Sequence, residues 1–118
     1  MKQNDLKERT RNFALKAINL VEVLPRGRIS DVLGRQLLRS GTSVGANYRA
    51  ACRAKSSADF ISKMGIVEEE IDESLYWMEL LVSSGLVCHD KIADLLNEAN
   101  QLTAITVSSI KTAKQNKR

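Results

Sequence analysis

The sequence predicts an all-α protein built as an antiparallel up-down-up-down four-helix bundle. Four stretches repeat apolar residues at helical spacing, and the connections between them are only a few residues long, which turns consecutive long helices antiparallel. One proline and six glycines in 118 residues are too few turn formers for a β-sandwich or barrel, which needs a turn roughly every ten residues. A chain of this length suits one domain, residues 1–118, with a single core.

The first helix is expected over residues 5–24. Its stripe is Leu6, Phe13, Ala17, Leu20 and Leu24, Asp5 with Glu8 reads as a capping box, and Pro25 with Gly27 ends it. The second, over 30–54, starts on Ser30 as N-cap and carries Leu33, Leu37, Ser40, Val44, Tyr48 and Ala51 inward. Gly34, Gly41 and Gly45 each cost about 1 kcal/mol against alanine in a helix interior, so tertiary structure must offset them. Gly41 and Gly45 stand one turn apart, where missing side chains admit a neighbouring helix; a kink at Ser40–Ser43 is the rival reading.

The third helix, 57–84, opens at Ser56 or Ser57 with Asp59 in its first turn, favourable to the helix dipole. Phe60, Met64, Val67, Ile71, Ser74, Met78 and Leu81 alternate steps of four and three, a heptad suited to shallow helix packing. The fourth, 89–114, turns Ile92, Leu95, Ala99, Leu102, Thr106 and Ala113 inward. Ile61, Leu75, Leu80 and Val82 lie beyond a single stripe, more apolar surface than one seam absorbs, and point to self-association.

Little in the inventory can run catalysis, and the protein is expected not to be an enzyme. The lone histidine, His89, stands at a helix start in a capping or surface position, and no Glu-x-x-His pair offers a di-iron site. Cys52 and Cys88 form no CxxC pair, so no metal site is expected. Gly41-Thr-Ser-Val-Gly45 lacks the lysine and spacing of a P-loop and falls within a helical pattern. No cofactor is implied. No stretch approaches the roughly 18 apolar residues of a membrane span, and MKQNDLKERTRN leads into an amphipathic pattern, so the expected location is cytoplasmic, with no membrane partner.

Charge is the informative feature. The chain holds 18 basic and 14 acidic residues, a net of +4, with an isoelectric point near 9.3. Residues 26–55 carry Arg26, Arg28, Arg35, Arg39, Arg49, Arg53 and Lys55 against Asp31 alone, while 57–84 carry seven acids against Lys63. Salt bridging between the two helices, within or between subunits, is one reading. The other is that Arg26, Arg28, Arg49, Arg53 and Lys55 present a basic surface to the phosphates of RNA or DNA. Arg39, beside the small residues of the second helix, is expected to be buried and therefore to need a carboxylate; Glu70 and Glu73, three apart on one face, can fork around it. Tyr76 and Trp77 are consecutive, so one joins the core while the other points outward as a candidate interface anchor.

The run Leu38-Arg-Ser-Gly-Thr-Ser-Val-Gly-Ala-Asn-Tyr-Arg49, then Asp59-Phe60, then Asp72-Glu-Ser-Leu-Tyr-Trp77-Met-Glu-Leu-Leu81, resembles the four-helix-bundle family of proteins encoded in intervening sequences of bacterial 23S ribosomal RNA. The resemblance implies a bacterial bundle assembled as a ring-shaped homopentamer. It extends to accessory proteins of diversity-generating retroelements, basic rings that bind nucleic acid and a reverse transcriptase, and so implies those partners. The chain departs from the family at Tyr48-Arg49-Ala50-Ala51, where relatives commonly read Tyr-Arg-Glu-Ala, and at Glu69, where a lysine is frequent. The sequence thus leads to an oligomeric bundle that binds structured nucleic acid, with a protein-interaction scaffold as the alternative.

Overall fold

Amphipathic periodicity resolves into four helices in the computed structural model, which describes residues 3–116: α1 (Gln3–Glu22), α2 (Arg28–Cys52), α3 (Ser57–Ser83) and α4 (His89–Gln115). Short turns join them, so each runs antiparallel to the one before. α1 packs on α2 and α4, and α3 on the same two; the diagonal pairs do not meet among the described residues. The bundle measures 51 × 21 × 21 Å. Burial is the main stabilising term, at about 25 cal/mol per Å² of apolar surface removed from water. Phe13, Leu37, Val44, Met64, Ile71, Met78, Leu81, Ile92 and Leu102 form its fully enclosed centre, the residues that the four stripes turn inward.

The close approach of α1 and α2 depends on glycine. A Cβ on Gly41 would lie 2.9 Å from Ala17 Cβ, and one on Gly45 would lie 3.2 Å from Thr10 Oγ1. Those contacts offset the propensity cost of the two glycines, and α2 runs unbroken through Ser40–Ser43 rather than kinking. On its other side α2 meets α3 through Ser40 and Ser74, whose buried hydroxyls are joined at 2.9 Å. The α1–α4 seam is clasped by polar groups: Arg9 donates twice to Glu98, at 2.7 and 3.1 Å, and once to Gln101, while Lys16 pairs with Asp94 at 2.8 Å.

Capping departs from the sequence reading in two places. Asp5 is already inside α1, in its first turn, where its charge favours the dipole without closing a capping box. Ser30 does not cap α2. Gly27 does, at φ 155° and ψ 162°, a conformation nearly restricted to glycine, and Ser30 lies a turn inside, buried, with a hydroxyl that has no partner. Of the two expected openings of α3, Ser56 is the cap, its hydroxyl accepting from the Asp59 amide at 3.0 Å. α1 stops at Glu22; Val23 and Leu24 continue as a tight turn that bonds back to Leu20 and Val21.

Candidate functional site

The outward face of α2 carries a column of arginines. Arg28, Arg35 and Arg49 recur at multiples of seven and Arg53 lies one turn beyond Arg49, spacings that return each side chain to nearly the same face of the helix. All four are exposed, and among the described residues none is in an ion pair. Arg26, in the α1–α2 turn, and Lys55, in the α2–α3 turn, are also exposed, and their side chains are in no ion pair among the described residues. The candidates fall into two groups: Arg26 and Arg28 at one end of the bundle, Arg49, Arg53 and Lys55 at the other. Arg28 and Arg49 are about 31 Å apart along the helix at 1.5 Å per residue.

Arg39 shares the outward side of α2 but has a different setting. Its Nη1 lies 3.2 Å from Glu70 Oε2, and Nη2 donates to Glu73, the fork that the spacing of the two acids predicts. The expected burial does not occur. The Arg39 side chain keeps 48% of its exposure and Glu73 45%, whereas Glu70 keeps only 11%, because the guanidinium reaches over the α2–α3 seam from outside. Burial, and then the neighbouring Glu73 carboxyl, push Glu70 above its ordinary value, with Arg39 pulling against them. Burial opposes the charge on Arg39, but the two carboxylates outweigh it and hold the guanidinium above its usual range.

Beside this fork, α3 turns Glu69, Asp72 and Glu79 to solvent together with Tyr76, which is 53% exposed. Tyr76 is the outward member of the aromatic pair. Trp77 is half-buried against the core edge, in edge-to-face contact with Tyr76 at 5.0 Å between ring centres. Leu75 and Val82 also pack on the core; the apolar residues that reach solvent are others, among them Leu15, Ile18, Ile29, Val32, Leu38 and Ile66.

Two cations absent from the sequence reading stand across from Arg49. Lys7 and Arg11, one turn apart on α1, line a groove with Arg49 where α1 meets the C-terminal half of α2. Their i, i+4 spacing is visible in the sequence, but their meeting with Arg49 depends on how the two helices pack. His89 is exposed, and among the described residues no group of His, Cys, Asp and Glu is gathered as a metal site would require. Cys52 and Cys88 are free thiols. No helix is long and apolar enough to cross a membrane.

Fold and surface define a small all-α bundle with a basic helix face beside an acidic one. The chain belongs to the family of 23S rRNA-intervening sequence proteins, whose sequence profile matches residues 2–108. It is similar to a protein of unknown function from the S23 ribosomal protein family of Bacteroides thetaiotaomicron, known from its crystal structure: identity is 37%, coverage 94% of this chain and 99% of that one, and the TM-score 0.87. No curated protein matches the chain.

Proposed function

We propose that the protein is a non-enzymatic homo-oligomer that binds structured RNA or DNA through arginine and lysine contacts to phosphate. The observation that carries this reading is the column of exposed arginines on α2, Arg28, Arg35, Arg49 and Arg53, in no ion pair among the described residues although an acidic helix lies alongside. These guanidinium groups are solvated and open to a partner, and phosphate is one whose geometry their planar fork matches. Assembly as a ring of five, the state implied by the family resemblance, would present each basic patch repeatedly to one polyanion, so that weak contacts add as avidity.

A second reading, the protein-interaction scaffold, is favoured by Glu69, Asp72 and Glu79 around the exposed Tyr76. On that reading the arginine face of one copy meets the acidic face of another, and the charges serve assembly. Gel-shift titration of ribosomal RNA fragments and duplex DNA separates the two. Retardation at low salt, weakened when Arg26, Arg28, Arg49 and Arg53 are replaced by glutamine, supports nucleic-acid binding. No retardation by micromolar protein supports the scaffold.

A further inference from the structure

We infer that the groove between the N-terminal half of α1 and the C-terminal half of α2 seats a phosphodiester backbone, held by Lys7 and Arg11 from one wall and Arg49 from the other. The inference rests on the nucleic-acid reading and goes beyond it by placing the backbone on one side of one end of the bundle.

Three features of the groove carry it. Its floor is made of small residues, Ala14, Gly45 and Ala46. A Cβ at Gly45 would stand 3.2 Å from Thr10 Oγ1, so the helices are close-packed beneath a trough of about 630 Å³ and the long side chains form its rim. The rim is cationic: Lys7, Arg11 and Arg49 are exposed and in no ion pair among the described residues, and Glu8 is the single acid that lines the groove. The cations are also suitably spaced. Lys7 and Arg11 are about 6 Å apart along the helix axis, so both can reach phosphates of the same strand.

Beyond Ala14 exposed apolar side chains enter both walls, Leu15 and Ile18 on α1 and Leu38 on α2, interspersed with the exposed Lys16 and Arg35. A cationic rim around small side chains suits sequence-tolerant contact with a repeating anion.

The test is fluorescence anisotropy of the full chain with labelled RNA and DNA duplexes of equal length, across a range of salt. Replacing Lys7, Arg11 and Arg49 together by glutamine should weaken binding at least about tenfold at low salt. It should also make the slope of log K against log salt shallower by about 2.7 for duplex DNA, roughly 0.9 for each lost phosphate contact. Ala46→Glu, which keeps all three cations but sets a competing carboxylate one turn from Arg49, should cause a comparable loss and keeps the test open if the triple variant misfolds. Arg26→Gln with Arg28→Gln, at the opposite end, should cost less than either. Tighter binding of one duplex, with both slopes reduced, identifies RNA or DNA as the natural source of the phosphates. Wild-type binding that the groove variants leave unchanged overturns the groove and leaves the nucleic-acid reading standing. A wild-type protein that binds neither duplex overturns both, and binding displaced by polyglutamate as readily as by unlabelled duplex reassigns the groove to an acidic protein.

Discussion

At the scale of single residues, Arg39 and Glu70 show how a half-exposed ion pair is weighed. A fully buried pair broken on one side costs about 3–5 kcal/mol, and an exposed one about 0–1 kcal/mol. Arg39 is open to water while Glu70 is nearly enclosed. Arg39→Ala should therefore destabilise by about 1 kcal/mol in denaturant melts, more than Arg53→Ala, which should stay within about 0.5 kcal/mol. A loss of 3 kcal/mol at Arg39 would mean that the guanidinium is part of the core after all. Glu70 gives a pH test. Burial raises its folded-state value above the ordinary one, so the folded chain holds that proton more tightly than the unfolded one. The resulting stability is full below the unfolded value and is lost as pH rises through the folded value. Glu70→Gln has no such proton to lose, so the variant should gain on wild type in melts taken between about pH 4 and pH 7; a constant difference across that range would contradict the assignment.

At the scale of the helix, two glycines of similar appearance should respond oppositely to alanine. At Gly41 a methyl would press to 2.9 Å on Ala17 Cβ, a contact with no flexible end to yield, whereas nothing lies within 4 Å of a Cβ placed on Gly65. Overpacking costs about 1–3 kcal/mol, and the propensity gain of Gly→Ala is about 1 kcal/mol. Thermal melts should therefore show Gly41→Ala destabilised and Gly65→Ala stabilised; a stable Gly41→Ala would mean that α1 and α2 can separate freely.

These elements also mark what was legible in the chain. The Phe60–Leu81 heptad and the Ser56 cap can be read because each depends on residues near one another in sequence. The Gly27 cap escaped because backbone geometry, not a side chain, closes that helix. The Arg9–Glu98 clasp and the meeting of Lys7 and Arg11 with Arg49 escaped because they arise only when two helices find their lateral register. The Glu70–Arg39–Glu73 fork was legible from the three-residue spacing of the acids, but the exposure of Arg39 was not, since the turn-by-turn pattern does not tell whether a long side chain crosses a seam inside or outside.

At the scale of the molecule, a slender bundle with exposed Ile18, Ile29, Val32 and Leu38, and with opposite charges on neighbouring faces, has surface suited to a second copy. Sedimentation at micromolar concentration should find an oligomer. A monomer would remove assembly from the account, and a stable dimer would remove the ring of five. Contact between the α2 arginines and phosphate should be visible in affinity measured against salt. With at least four guanidinium groups engaged, log K for duplex DNA should fall against log salt with a slope of about −3.6 or steeper. Binding that is flat with salt, or absent at about 50 mM with micromolar protein, would contradict it.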